Sequence, residues 1–440
     1  MHVQTTASEP IPLQKVGPYQ ILILLIGILV LLSDGFDAQI VSYVAPGLIK
    51  EWHITKGALA EVFSANIFGL MIGSLVIAPM ADVFGRKMVA AACVGVFGVL
   101  SLAMIAVHSP HEAAMVRLGS GLALGGAMPT MISGTAEFLP GRLRTRLVVL
   151  LATAWSAGIA LCGKLTSAVI ETRGWHFIFK LDCAIAAVAF LGVVLLMPES
   201  PVFLLAKGKI DALKKVLAGI APGLDFDPAT AEAPPPPSKF PITALFAGDL
   251  AKLTPLVWLT YFAKGASVYF FINWLTVAVS DFGYSPSASA NAAFFYQMGG
   301  LCGGFLIGYL TDRKGGVAIA GAMIGAAIAI SLTGFTAKNY DLLLFAVVCA
   351  GFLVVGGMNT LHAYIGGHIY PSQVRATGLG WAIASTRLSG VIAGSLGVAV
   401  LLKLDLGPTK TFAVIAVAEV VAAVFVYLAH TVAKKRTAVA

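Results

Sequence analysis

Long apolar runs, cut at near-regular intervals by short polar strings, make up most of this chain. A helix needs about 20 apolar residues to cross the hydrocarbon core of a bilayer. Runs of that length are predicted at 19–44, 57–79, 88–107, 112–138, 147–170, 176–197, 251–279, 289–309, 317–337, 342–369, 377–401 and 409–433. Two of the polar strings resemble each other at a distance of about 230 residues: Ala78-Pro-Met-Ala-Asp82-Val-Phe-Gly85-Arg86-Lys87 and Gly308-Tyr-Leu-Thr-Asp312-Arg313-Lys314-Gly315. Pro140 and Arg144 after the fourth run return at the same offset as Pro371 and Arg375 after the tenth. Landmarks repeated in register mean duplicated halves. The expected fold is an all-α membrane protein, with twelve transmembrane helices in two pseudo-symmetric six-helix bundles. Paired halves are the common build of solute transporters.

The expected division is a tail at 1–18, a first bundle at 19–197, a connection at 198–250, a second bundle at 251–433 and a tail at 434–440. Within the connection, Pro201–Ile220 reads as one amphipathic helix lying on the membrane surface, with an apolar stripe beside Lys207, Lys214 and Lys215. Pro234–Pro237 then forms a stiff linker. Residues 1–18 do not look like a cleavable signal peptide, so the first span is expected to be its own insertion signal.

Composition closes off the soluble classes. Of 440 residues 58% are hydrophobic and 11% charged, against roughly 25% charged in soluble domains. Mean hydropathy is +0.89. The five cysteines, Cys93, Cys162, Cys183, Cys302 and Cys349, are scattered singly, so neither a disulfide framework nor a metal or other cofactor is expected. Lysine and arginine favour one set of loops by roughly three to one, which puts both termini in the cytoplasm. The formal charge of +8 then reflects loops facing anionic lipid and requires no nucleic acid. No protease, hydrolase or nucleotide-binding string is present, so an enzyme is not expected.

Charges inside the spans carry the candidate chemistry, because each costs at least ~2.5–3.5 kcal/mol at bilayer depth. Asp34 and Asp37 share a face of the first span, and two carboxylates that cannot both ionise cheaply suit proton coupling. Glu137, at the end of the fourth span, is a third candidate for that role. Lys264 sits mid-way in the seventh span, the symmetry mate of the first. It is expected either to trade an aspartate of the first span for a substrate carboxylate or to stay in a permanent salt bridge. Arg387 in the eleventh span offers a fork matched to a carboxylate. Arg117 in the fourth span is a candidate for substrate contact, gating or packing. Lys164 is a candidate for substrate contact or for an ion pair with Asp182. Phe36, Asn273, Trp274, Tyr296, Gln297, His362, Tyr364 and Trp381 are candidate pocket walls for a ring. Asp82 with Arg144 or Arg146, Glu137 with Arg86, and Asp312 with Arg375 are candidate cytoplasmic latches, with Lys87 and Arg313 beside them.

The paired loop string, with Asp82, Gly85, Arg86 and Lys87 in one copy and Gly308, Asp312, Arg313 and Gly315 in the other, resembles the signature of the major facilitator superfamily. Ala78 and Val83 depart from it. Ser33-Asp34-Gly35-Phe36-Asp37, Arg117, Glu137-Phe-Leu-Pro140, Pro198-Glu199-Ser200-Pro201, Tyr370-Pro371 with Arg375, and Arg387 together resemble the aromatic acid/proton symporters. That resemblance implies a monomeric, proton-coupled importer of an aromatic carboxylate in the bacterial inner membrane, as used in aromatic catabolism. Lys164, Lys180, Asp182, Lys264 and Thr276 depart from that family's pattern. A surplus of buried cations raises a dicarboxylate or larger lignin-derived acid as substrate. The alternatives are another organic anion or proton/drug antiport, the latter disfavoured because the glycine-rich fifth span lacks a proline.

Overall fold

The computed structural model describes residues 16–220, 242–370, 374–398 and 406–439, and its described elements are helices. In chain order they are α1 (Pro18–Trp52), α2 (Lys56–Phe84), α3 (Arg86–Ala103), α4 (Pro110–Ala136), α5 (Gly141–Leu191), α6 (Pro201–Ala206), α7 (Ile210–Ile220), α8 (Leu250–Asp281), α9 (Pro286–Lys314), α10 (Gly316–Phe335), α11 (Tyr340–Tyr364), α12 (Arg375–Val398) and α13 (Pro408–Val439), with short 3-10 or π turns at several ends. α5 is two rods broken at Gly174, where φ 70° and ψ 175° interrupt the helix. Counting both rods and setting aside the short α6 and α7 gives twelve long rods. Nine helical segments among the described residues are apolar and long enough to cross a membrane, one of them covering both rods of α5. α4 and α12, which carry Arg117 and Arg387, fall outside that set.

The helix ends follow from local chemistry. Ser109 and Ser285 accept from the backbone N–H of Glu112 and Ala288, each followed by a proline at the first helical position. The signature loops shrink to single glycines: Gly85 alone separates α2 from α3 with φ 109°, and Gly315 alone separates α9 from α10 with φ 58°. Only glycine adopts such angles without strain, which explains its place in both strings.

Backbone-to-backbone packing repeats with the sequence. A Cβ on Gly69 or Gly73 would lie 2.3 or 2.0 Å from a carbonyl oxygen of α4, and one on Gly299 or Gly303 would lie 2.3 or 1.9 Å from one of α11. Gly69 and Gly299, Gly73 and Gly303, and Gly121 and Gly351 are each 230 residues apart. Stripes of small residues let membrane helices approach this closely.

The apolar core has one shared part, a main separate part in each half, and a small fourth part around Ala81, Val89, Cys93 and Ala127. At the end of the bundle remote from the termini, residues of α1, α2 and α5 join residues of α8, α9 and α11 in one cluster that includes Phe36, Val44, Phe63, Phe271, Trp274 and Tyr296. Toward the termini the halves have cores of their own, around Phe97 and Phe138 in one and Tyr261 and Leu361 in the other. The halves therefore close against each other at the remote end and part toward the termini. Large apolar side chains such as Leu75, Val99, Phe305, Phe335 and Phe345 are exposed on the outside, as a lipid-facing surface requires.

The connection differs from the expected single amphipathic helix. It breaks at Gly208 (φ 65°) into α6 and α7, and Leu204, Leu213, Leu217 and Ile220 are buried in the first half's core instead of resting on lipid. The proline run at 234–237 lies outside the described residues, as do the tails at 1–15 and residue 440.

Candidate functional site

α1 supplies the acids. Its face toward α4 and α5 carries Asp34 and Asp37 one turn apart, 2% and 0% exposed. Trp155 Nε1 of α5 donates to Asp34 Oδ1 at 3.1 Å, while Asp34 Oδ2 is buried without a partner. Arg117 Nη1 of α4 donates to Asp37 Oδ1 at 2.8 Å, and Nη2 donates to the Asp37 carbonyl at 3.0 Å and Asn66 Oδ1 at 3.2 Å. Arg117 thus anchors Asp37. Ser101 of α3 bridges Asp37, 2.9 Å away, and Asp182 of α5. A small pocket lies beside this cluster, with Ser42, Phe63, Asn66, Arg117 and Asn273 among its walls.

Two expected ion pairs do not form. Lys164 is exposed and lies over the Phe294 ring at 5.5 Å, whereas Asp182 is fully buried against Ser101. Lys164 thus turns toward α9 of the other half and Asp182 toward α3 of its own. Nor does Lys264 reach α1. Its Nζ lies 3.0 and 2.9 Å from the two carboxylate oxygens of Glu419 on α13, and Ser267 Oγ donates to the same carboxylate at 2.5 Å. Both partners are 0% exposed. Lys264 and Ser267 are three residues apart and share the face of α8 that packs on α13, not the one toward α1. Glu419 was missed by the sequence reading; the signal available was a lone acid inside the last apolar run.

Arg387 is arranged differently. It is partly buried on α12, its guanidinium donates to Ser74 Oγ of α2 in the other half, and it sits within electrostatic reach of Asp34 and Tyr269. No carboxylate pairs with it at ion-pair distance among the described residues. A guanidinium at membrane depth, held by a hydroxyl and near a carboxylate, can take an anion without first breaking a salt bridge.

The expected pocket walls disperse. Phe36, Trp274 and Tyr296 are buried in the remote-end core, Trp274 edge-on to Phe63 across the halves and Tyr296 stacked on Phe271. Asn273 faces the small pocket with its amide nitrogen unpartnered. Gln297 is buried on α9. His362 packs edge-on to Tyr261. Tyr364 Oη bonds His430 Nδ1 at 2.7 Å, and Trp381 stacks on Trp258 toward the terminal end, so neither is drawn into the group around Arg387 and Asp34.

At the terminal end, Arg86 holds Glu137 at 3.1 Å and also Asp82, and Ser200 donates to Glu137. Burial pushes the Glu137 carboxyl up from its ordinary range, with Arg86 opposing. The Lys87 amide donates to Glu199. The expected Glu137–Arg86 pair is thus present and braces α4 against the α2–α3 turn, with Glu199 and Ser200 of the connection bonded beside it. Arg313 lies over Tyr309, and Asp312 is exposed. The side chains of Arg144 and Arg375 lie outside the described residues.

The seal between halves is at the remote end. Ser42 Oγ donates to the Ile272 carbonyl at 2.5 Å, and Thr276 Oγ1 donates back to the Ser42 carbonyl. Ser287 Oγ donates to the Ser167 carbonyl at 2.6 Å, and Lys56 pairs with Asp281 at 2.6 Å.

The sequence profile described as Major Facilitator Superfamily matches residues 27–394, with a second match at 257–439. The chain belongs to the Major Facilitator Superfamily. Members similar to it include a gallate transporter of Pseudomonas putida, 35% identical over 403 residues covering 90% of this chain and 88% of the relative. The 4-hydroxybenzoate transporter PcaK of Acinetobacter baylyi is 31% identical over 94% of this chain and 92% of its own. A 3-(3-hydroxy-phenyl)propionate transporter of Escherichia coli is 31% identical over 92% and 94%. In fold, this facilitator is similar to the inward open conformation of the xylose transporter XylE from E. coli (TM-score 0.73, 17% identity, 93% and 96% covered). It is a transporter, not an enzyme, and its relatives by sequence move aromatic acids.

Proposed function

We propose that this facilitator is a monomeric, proton-coupled importer of a hydroxylated aromatic carboxylate, working by alternating access in a bacterial inner membrane with both termini cytoplasmic. The observation that carries the reading is Arg387, bonded across the halves to Ser74 and within electrostatic reach of Asp34, which has an unpartnered oxygen. Arg387 receives the carboxylate, and the free Asp34 oxygen accepts a ring hydroxyl. Gallate and 4-hydroxybenzoate, named for the relatives, carry both groups. The excess of lysine and arginine on the terminal side supports the orientation. The seal at the remote end then makes the described state inward-facing. Asp34 and Asp37, at the junction of substrate and seal, are the proposed coupling acids. The dicarboxylate reading rested on a surplus of buried cations, Lys264 with Arg387 and Lys164, and Glu419 takes Lys264 out of that surplus.

The test is uptake of labelled gallate and 4-hydroxybenzoate by proteoliposomes under an imposed pH gradient. The expected result is accumulation above the outside concentration that a protonophore abolishes. Arg387→Lys should weaken the acid by about 1.5–3 kcal/mol, the range for a charge-assisted bond. Uptake that ignores the pH gradient would refute coupling, and full affinity in Arg387→Lys would refute the carboxylate site.

A further inference from the structure

Asp37, Ser101, Arg117 and Asp182 come from four different rods, and none is more than 1% exposed. Ser101 Oγ lies within hydrogen-bond distance of Asp37 Oδ1 and of Asp182 Oδ2. A serine hydroxyl has one hydrogen to donate. It therefore bonds one carboxylate, and the other contact is a hydrogen bond only if that second group is a carboxylic acid donating to the serine. Two bare carboxylates facing one hydroxyl in a dry interior would instead repel with nothing between them. Arg117 decides which group is ionised, because its guanidinium lies 2.8 Å from Asp37. Asp182 has no cation at ion-pair distance among the described residues, and Lys164, its expected partner, lies over Phe294 of α9 in the other half. Asp34, Ser42 and Tyr43 of α1, Asn66 of α2, Cys162, Thr166 and Cys183 of α5 and Asn273 of α8 also lie near the cluster, and none of these supplies a positive charge.

We propose that Asp182 holds a resident proton and that Asp182, Ser101 and Asp37 form a relay for it. In the step, the Asp182 O–H bond breaks as its proton passes to Ser101 Oγ, while the serine's own proton passes to Asp37. The hydroxyl is regenerated, Asp37 becomes the acid and Asp182 the carboxylate. One proton, one negative charge and the Arg117 positive charge are conserved, so no net charge appears in the interior. Arg117 then keeps its bond to the Asp37 carbonyl but faces a neutral side chain on α1, while the negative charge has moved to the second rod of α5. The relay thus converts a proton's position into a change in which rod carries the charge that Arg117 balances. Its use in coupling rests on the transport reading above; the residence of the proton does not.

The test is difference infrared spectroscopy of the purified full-length protein in detergent, without substrate, at neutral pH. Wild type should show carboxylic-acid carbonyl absorbance with a component that disappears in Asp182→Asn and survives in Asp34→Asn. Ser101→Ala should move that component to higher frequency, because the acid loses its hydrogen-bond acceptor; this variant also serves if Asp182→Asn fails to fold. An unchanged spectrum in Asp182→Asn, or in Ser101→Ala, would overturn the proposal. The spectrum needs no substrate, so a failure of the aromatic-acid reading would show in the uptake assay alone.

Discussion

Removing either member of the Lys264–Glu419 pair should destabilise the protein, and the two losses should depend on pH with opposite signs. Lys264→Met leaves Glu419 with only the Ser267 hydroxyl in a site with no solvent exposure. Breaking a buried ion pair by deleting one partner costs about 3–5 kcal/mol. An orphaned carboxylate can escape by taking a proton. For an ordinary glutamic acid that costs ~1.36 kcal/mol per pH unit above about 4.3, hence about 3.7 kcal/mol at pH 7. The loss should therefore be capped near 3.7 kcal/mol and shrink as pH falls. Glu419→Gln leaves the ammonium instead, whose escape is to shed a proton. From an ordinary lysine value of about 10.4, that cap is about 4.6 kcal/mol at pH 7 and shrinks as pH rises. The double variant Lys264→Met/Glu419→Gln removes both charges and should be more stable than at least one single variant. Thermal unfolding in detergent at pH 5.5, 7 and 8.5 reads all three. A Lys264→Met protein as stable as wild type at pH 8.5, or single variants with pH slopes of the same sign, would refute the buried pair and return Lys264 to the substrate.

Gly303→Ala should cost about 1–3 kcal/mol or prevent folding, since its Cβ would lie 1.9 Å from the Phe352 carbonyl, whereas Gly308→Ala, with nothing within 4 Å, should be neutral in the same melt. Thr276→Val removes one seam bond and should raise labelling of a cysteine placed at the remote end while leaving the dissociation constant for substrate unchanged. Asp82→Asn should cost under ~1 kcal/mol by thermal melt, because its pair with Arg86 is more than half exposed on the acid side and Arg86 keeps Glu137.

Periodicity and the repeated loop strings made the spans and the duplication readable, because apolar length and turn glycines are local properties. The register of the halves was legible at Gly85 and Gly315 for that reason. Which way a buried charge points was not. Lys164 and Asp182 lie on neighbouring rods and looked like partners, but the rotation of each rod about its axis, set by packing, sends one toward α9 of the other half and the other toward Ser101 of α3. Glu419 escaped notice because one acid barely lowers the hydropathy of a long span. Its meaning emerges only when α13 is seen against α8. Arg387 was legible as a cation at depth, while its bond to Ser74 required knowing that α12 lies on α2.

The paired glycine stripes have a mechanical consequence. Where α2 meets α4 and α9 meets α11, main chain rests on main chain, and there is no layer of side chains to shear. Each such pair behaves as a beam, stiff against sliding and twist. Motion is then channelled into the surfaces that remain, chiefly the seam, where side chains meet side chains in the shared apolar core and Ser42, Thr276, Ser167 and Ser287 exchange a few hydrogen bonds. Stiff beams on a soft joint make a lever: a small displacement at the joint becomes a large one at the free ends. Natural variation could thus retune how fast the machine cycles by editing a few seam hydroxyls, while the beams, and the cavity they frame, stay as they are.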